Sequence, residues 1–233
     1  DCVKLTAQYT HPVHTNVPND PNDKVGPFGY GPEKFVPVGT PLPYRINFEN
    51  RSDATAPAHR IRIVDQLPPT LDPRTVRLTE IGFKQYRIVI PPNRSFYQTR
   101  MQLGPDLNDL QADITAGVNI ATGAVTLNMV AIDPATGEEP IDPGRGILPP
   151  NNASNDGQGY LSFTVIPTAN QPTRTDLANS ATIYFDDNEP ILTNTTTNLV
   201  DADLPVSQIS ALPATSASVS IPLVWGGSDD ANG

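Results

Sequence analysis

The alternation of apolar and polar side chains in residues 42–72 constrains the fold of this chain more than any other feature. Tyr44, Ile46 and Phe48 alternate with polar residues, and after a polar turn a second run alternates around Ile61. A period of two places one face of a strand in a core and the other in water. These runs predict paired strands of a β-sandwich, an architecture used mostly to build, space or bind.

Proline extends this prediction to the whole chain. The 233 residues include 26 prolines and 16 glycines, and the prolines are spread over the full length. Proline breaks helices and is confined to turns and strand edges. A stretch with little proline, residues 106–132, is rich in Val, Ile and Thr and is predicted to form strands. The fold class is therefore all-β, an immunoglobulin-like sandwich with long loop insertions.

Charge and cysteine content exclude some classes of partner. The net charge is −10, and only four of the 15 basic residues are lysines. Nucleic acid is not expected as a partner, since phosphate binding needs a basic face. No apolar run approaches the ~18 residues of a membrane span. Cys2 is the one cysteine, so no internal disulfide is expected; we interpret it as a free thiol near a frayed end, the alternative being a partner elsewhere.

The chain divides into three parts by composition. Residues 1–35 are predicted to be an irregular lead-in and the end of a preceding module, and residues 36–200 the sandwich. Residues 201–233 are predicted to be a linker and the start of a following β module, although they would also suit an edge strand of the main sandwich. A polar insertion is expected at 133–159. The later strands are predicted at Val76–Phe83, Tyr86–Ile90, Ser95–Leu103, Leu110–Asn119, Ala124–Ile132, Tyr160–Ile166, Leu177–Phe185 and Asn194–Val200.

Short motifs along residues 20–200 carry a family resemblance. The chain contains DPNDK, YRINFEN, APA, VDQL, LTEIGF, YQTR, IDPATG, LPPN and IYFDDN, in this order. Together they resemble an uncharacterised module of very large secreted bacterial proteins and the bacterial surface repeat called DUF11. Residues 203–230 resemble the start of a fibronectin-like repeat. The resemblance implies an extracellular or cell-surface location, a modular parent chain and no enzymatic activity.

Acidic residues near strand ends suggest a calcium site. Carboxylate, amide and carbonyl oxygens on loops are the ligands that calcium prefers. The candidate ligands are Asp186, Asp187, Asn188, Asp201 and Asp203. The first three follow a predicted strand, and Asp201 and Asp203 follow the next strand, which would return the chain to the same end of the sandwich. The alternative is turn chemistry, because Asp and Asn favour turns by bonding their own backbone.

Catalytic and zinc sites are not indicated. His11 and His14 form an HxxH pair on a loop, and His59 lies in a strand. Two loop histidines do not supply the three or four ligands of a zinc site. There is no G-x-S-x-G motif for a serine nucleophile. A carboxylate pair for glycoside hydrolysis stays open as a disfavoured alternative, because the chain has many acids and the sequence does not give the distances between them. We therefore expect a protein that is not an enzyme.

Exposed aromatic rings would instead indicate a polysaccharide-binding domain like a carbohydrate-binding module, since sugar faces stack on flat rings. The only tryptophan, Trp225, lies in an alternating run and is expected in a core. The tyrosines available for such a surface are Tyr30, Tyr86, Tyr97, Tyr160 and Tyr184.

An internal isopeptide crosslink would need a buried lysine, an asparagine or aspartate, and a catalytic acid. Lys34 and Lys84 are the lysines nearest to predicted strands, and nothing in the sequence selects either.

The function expected from these observations is that of a structural spacer or adhesive module of a large secreted or cell-surface bacterial protein. It would be stabilised by calcium and assemble with copies of itself, using its exposed strand edges. The expected partners are neighbouring β modules of the same chain, further copies or a cell-surface polysaccharide. Polysaccharide binding is the alternative function.

Overall fold

The computed structural model describes residues 21–212, 214–215 and 223–228 and confirms the all-β prediction. The helical structure of these residues is one short 3-10 turn, Pro105–Leu107. The strands are β1 (Lys24–Val25), β2 (Phe35–Pro37), β3 (Leu42–Glu49), β4 (Arg60–Gln66), β5 (Leu71–Phe83), β6 (Tyr86–Val89), β7 (Phe96–Gln102), β8 (Gln111–Asn119), β9 (Ala124–Ile132), β10 (Gln158–Pro167), β11 (Ala181–Phe185), β12 (Ile191–Leu192), β13 (Leu199–Asp201), β14 (Val206–Ile209) and β15 (Trp225–Ser228).

Two antiparallel sheets carry most of these strands. The first has the order β1-β3-β10-β5-β6 and the second the order β12-β11-β4-β9-β8-β7. Alternate residues of each sheet point into one shared core. In β3, for example, Leu42, Tyr44, Ile46 and Phe48 are buried, as the period-two pattern predicts. Tyr44 stacks on Phe163 of the neighbouring β10, with ring centroids 5.7 Å apart.

The strands predicted after the first pair agree with the observed ones, except near the end. The Leu177–Phe185 run forms a regular strand only at Ala181–Phe185, and the Asn194–Val200 run only at Leu199–Asp201. Before that strand, isolated bridges join Asn179 to Thr196 and Asp176 to Leu199. The insertion at 133–159 is irregular for most of its length, as expected.

A segment of residues 21–38, called the strap below, docks along the edge of the first sheet. Its β1 pairs with β3, with Lys24 opposite Ile46, and its β2 runs parallel to β13. Asn22 Oδ1 accepts the N–H of Glu49, and Asp23 Oδ1 accepts a hydrogen bond from Asn47 Nδ2. Polar contacts attach this part of the strap, which is why it lacks the alternation of a core strand.

The C-terminal hairpin is exposed. Strands β14 and β15 pair with each other, and all their residues are exposed. Trp225 is 72% exposed, so the expectation of a buried tryptophan is wrong. Its strand packs on no core among the described residues. The division of the chain at residue 200 stays a prediction. No helix of the described residues is long and apolar enough to cross a membrane.

Candidate functional site: a buried lysine, aspartate and asparagine

A lysine and an aspartate form a salt bridge inside the sandwich. Lys24 comes from β1 of the first sheet and Asp65 from β4 of the second. Lys24 Nζ contacts Asp65 Oδ2, and neither side chain has any exposed surface. Lysine and aspartate are almost never fully buried unless they are paired, and burying such a pair costs free energy that a well-packed apolar pair would not. This cluster is therefore a candidate for a function beyond packing.

Aromatic rings surround the amine. Lys24 Nζ lies 4.9 Å from the ring centroid of Tyr44 and 5.9 Å from that of Phe163. Both rings are in the core, and the Tyr44 hydroxyl is buried with no hydrogen-bond partner among the described residues. These apolar walls keep water away from Nζ and leave Asp65 as its polar neighbour.

Asn179 is the third member of the cluster. Asp65 lies opposite Ala181 across the β4–β11 ladder, and Asn179 precedes Ala181 by two residues on the same inward face. Burial raises the pKa of Asp65, and the side chain of Asn179 is close enough to that carboxyl to oppose this rise, although less than Lys24 does. Even so, Asn179 Nδ2 and Asp65 Oδ1 are buried without a well-formed hydrogen bond among the described residues. Unpaired buried polar atoms are rare in native cores and need an explanation.

Burial moves both ionisable groups of the cluster towards their neutral forms. Desolvation lowers the pKa of Lys24, and the contact with Asp65 only partly offsets it. Desolvation raises the pKa of Asp65, opposed by the charge of Lys24. Low dielectric disfavours charge on both groups, and transfer of one proton from Lys24 to Asp65 would give an uncharged amine beside a protonated acid.

That pair of neutral groups has a defined chemical capability. An uncharged amine is a nucleophile, whereas an ammonium group is not. A protonated carboxyl can donate a hydrogen bond to a carbonyl oxygen and later relay a proton. With the amide of Asn179 beside Asp65, the three side chains could act as nucleophile, acid and electrophile in a site closed to water.

The expectation about the lysines is corrected by this geometry. Lys34 is exposed in a turn with φ 57°, and Lys84 Nζ pairs with Asp106 at 3.0 Å. Sequence reasoning missed Lys24 because its stretch, DPNDKVGPF, has no alternation. A usable indication existed in β4: extending the buried positions Ile61 and Ile63 by two residues places Asp65 in the core.

The five residues of the calcium hypothesis lie at two separate places. Asp186 Oδ1 caps the backbone N–H groups of His59 and Arg60, and Asp187 pairs with Arg60 at 3.0 Å. Asn188 follows in the same turn. Asp201 and Asp203 lie at the other end of an antiparallel ladder whose bridges join Asp176 to Leu199 and Asn179 to Thr196.

Twelve residues of largely extended chain separate Asp186 from the position opposite Asp201, roughly 40 Å at ~3.3 Å per residue. The structure therefore does not bring the two groups together. Among the described residues, no group of three or more His, Cys, Asp or Glu is placed to hold a metal ion. Calcium binding stays an untested prediction, which melting curves with calcium and with a chelator would check. The pair His11 and His14, like Cys2, lies outside the described residues.

Arginines cover the tyrosines on the outer faces of the sheets. The Arg45 guanidinium lies 3.5 Å from the ring centroid of Tyr160, and that of Arg62 lies 4.2 Å from the ring of Tyr184. Tyr30 is 74% exposed but belongs to the strap, away from these faces. Tyr86 and Tyr97 are partly buried and pack against the core. Sugar binding stays an untested prediction.

Comparison with known proteins finds similarity without assigning a family to the whole chain. Residues 146–199 match the model of a domain of unknown function, DUF7619. No curated protein matches significantly.

Solved structures of bacterial surface proteins resemble the chain at low sequence identity. The C-terminal domain of the Streptococcus pyogenes antigen I/II-family protein AspA is 18% identical over 76% of this chain and 45% of its own, with a TM-score of 0.39. The collagen-binding subdomain of Enterococcus faecalis ACE is 10% identical over 79% and 99%, with a TM-score of 0.35. The Corynebacterium diphtheriae major pilin SpaA, described as having stabilising isopeptide bonds, is 12% identical over 79% and 39%, with a TM-score of 0.36. This chain thus spans less than half of two of these proteins.

Proposed function

We propose that this chain is a structural or adhesive module of a secreted or cell-surface bacterial protein, and that an amide bond between Lys24 and Asn179 locks its fold. The buried cluster of Lys24, Asp65 and Asn179 carries this proposal.

The surface location rests on the resemblance found in the sequence, and an antibody against the domain that labels intact cells of the source bacterium would support it. No labelling of intact cells, with labelling after lysis, would contradict it.

The crosslink forms by exchange of one amine for another. Asp65 in its protonated form polarises the Asn179 carbonyl, and the uncharged Lys24 Nζ attacks Cγ of Asn179. A bond forms between Nζ and Cγ, and the bond between Cγ and Nδ2 breaks. Asp65 passes a proton to the departing Nδ2, which leaves as ammonia, and recovers one from Nζ. One ammonia is lost, and no oxidant or cofactor is needed.

Asn179 is favoured as the electrophile over Asp65 itself. Asp65 is the only carboxylic acid among the buried polar residues of the described chain, the others being Asn22, Lys24, Asn50, Asn179, Thr193 and Asn198. If Asp65 were consumed by Lys24, no buried acid would remain to assist. With Asn179 as the electrophile, each of the three side chains has one role.

The location of the bond suits a module that bears mechanical load. Strand β1 has only two residues and lies at the edge of the first sheet, so without a covalent bond it would peel away early. The crosslink would tie this edge to the second sheet next to β11. Chain tension between the two ends would then pass through a covalent bond instead of through strand pairing.

Mass spectrometry tests the crosslink. The folded wild-type chain should be lighter than its sequence mass by one ammonia, and a protease digest should yield one branched peptide that contains Lys24 and Asn179. Asp65→Asn should restore the full mass, whereas Lys84→Met should keep the ammonia loss. A chain of full mass would disprove the crosslink, and loss of one water with a branch at Asp65 would reassign its electrophile.

A further inference from the structure

One short segment contacts both residues that the proposed crosslink joins. It comprises residues 193–196, directly after β12, and is called the template segment below. Its Asn194 binds the backbone of Lys24, and its Thr196 binds the backbone of Asn179. The spacing between amine and amide therefore depends on this segment.

Asn194 holds Lys24 with two hydrogen bonds. The Lys24 N–H donates to Asn194 Oδ1 at 2.8 Å, and Asn194 Nδ2 donates to the Lys24 carbonyl at 3.0 Å. The side-chain amide thus provides the donor and acceptor that a neighbouring strand would provide. On its other side β1 lies against β3, with Lys24 opposite Ile46. The backbone of Lys24 is fixed from both sides.

Thr196 holds Asn179 in the same way through its backbone. The Thr196 N–H donates to the Asn179 carbonyl at 2.8 Å, and the Asn179 N–H donates to the Thr196 carbonyl at 3.0 Å. Gly26 of the strap lies beside the Thr196 side chain. The space between them is too small for another side chain, since a Cβ added to Gly26 would lie 3.0 Å from Thr196 Cβ. The template segment therefore contacts the strap at Lys24 and Gly26, and it also contacts Asn179, two residues before β11.

We infer that Asn194 is a positioning residue for the crosslink, an inference that rests on the proposed function. Attack on an amide carbon needs close alignment, and a displacement of about 1 Å can cost on the order of a hundredfold in rate. Asn194 touches neither reacting atom. It fixes the Lys24 backbone relative to the segment that already fixes Asn179, which sets the distance between Nζ and Cγ.

The rate of ammonia loss after synthesis tests this role. Wild-type chain and Asn194→Ala would be made by cell-free translation, and intact mass followed over time. Asn194→Ala should form the crosslink at least about tenfold more slowly. The matched control is Asn198→Ala, because Asn198 Nδ2 binds the strap at Pro27 O (3.0 Å) and Lys34 O (2.9 Å), away from Lys24. This control should react at close to the wild-type rate.

Melting curves separate positioning from general destabilisation. Both alanine substitutions would be placed in a Lys24→Met background, which cannot react and so reports only strap stability. Similar melting temperatures with unequal rates in the reactive chains support positioning by Asn194. Should Asn194→Ala fail to fold, Asn194→Asp keeps the acceptor for the Lys24 N–H, loses the donor to its carbonyl, and is expected to be slowed as well.

Three results overturn the inference in distinguishable ways. If Asn194→Ala loses ammonia at the wild-type rate, Asn194 has no positioning role and the proposed crosslink stands. Asn194→Asp serves for this comparison if the alanine variant does not fold. Equal slowing in Asn194→Ala and Asn198→Ala reduces Asn194 to an ordinary strap contact. A wild-type chain that never loses ammonia refutes the proposed crosslink itself, and the inference with it.

Discussion

Replacing Lys24 by methionine should cost this protein a large share of its stability. The crosslink would close a loop of 155 residues, from Lys24 to Asn179. In the chain-entropy treatment of covalent crosslinks, a loop of this length removes enough freedom from the unfolded chain to contribute about 5 kcal/mol at 25 °C. For a domain of this size, each kcal/mol shifts the melting temperature by ~2–4 °C. Lys24→Met should therefore melt roughly 10–20 °C below wild type.

The variant also removes a partner from Asp65, and a second substitution isolates that effect. Leaving a buried polar group unpaired costs about 1–3 kcal/mol. Asn179→Ala abolishes the crosslink but keeps the contact between Lys24 and Asp65, so the loss shared by both variants is that of the crosslink. Lys84→Met serves as the control, since its ion pair with Asp106 is partly exposed and should contribute at most about 1 kcal/mol.

Calorimetric melting with intact mass on the same samples is the assay. A stabilising role of the crosslink is refuted if wild type has lost ammonia and yet Lys24→Met and Asn179→Ala both melt within a few degrees of it. If the melting temperature falls in Lys24→Met but not in Asn179→Ala, the lost stability belongs to the buried pair of Lys24 and Asp65 and not to the covalent bond.

Three further predictions concern mechanics, packing and pH. When the ends of the chain are pulled in a force spectrometer, Lys24→Met should extend by roughly 500 Å more than wild type, at ~3.3–3.6 Å for each residue that the crosslink would shield; equal contour lengths would contradict this. Gly159→Ala should destabilise the fold by about 1–3 kcal/mol in denaturant titrations, because the new Cβ would lie 2.3 Å from the ring of Phe48, and a change of under about 0.5 kcal/mol would show that the ring yields freely. Stability should decline as pH falls below about 4.5, because a hydrogen bond from Arg87 lowers the pKa of Glu80 in the folded state. The stabilisation by ionised Glu80 is present above its unfolded pKa of 4.5 and is lost as pH falls through the folded pKa. Stability that is flat down to pH ~2 would contradict this.

The sequence by itself determined the sandwich and most of its strands. Burial of every second side chain is a local property, so the alternation at Tyr44, Ile46 and Phe48 identifies a strand without knowledge of its neighbours. The same rule extended along β4 and back from Ala181 would have placed Asp65 and Asn179 inside the core. Neither step shows that the two side chains meet.

Only the tertiary structure decided which lysine is buried next to Asp65. Lys24 lies in a polar stretch without periodicity, and its inward orientation comes from β3 on one side and from Asn194, 170 residues later, on the other. The pairing of a two-residue edge strand is set by such distant hydrogen bonds and not by local side-chain pattern. For the same reason the acidic groups around Asp186 and Asp201, which were expected to share one end, lie at opposite ends of a ladder whose direction the sequence does not state.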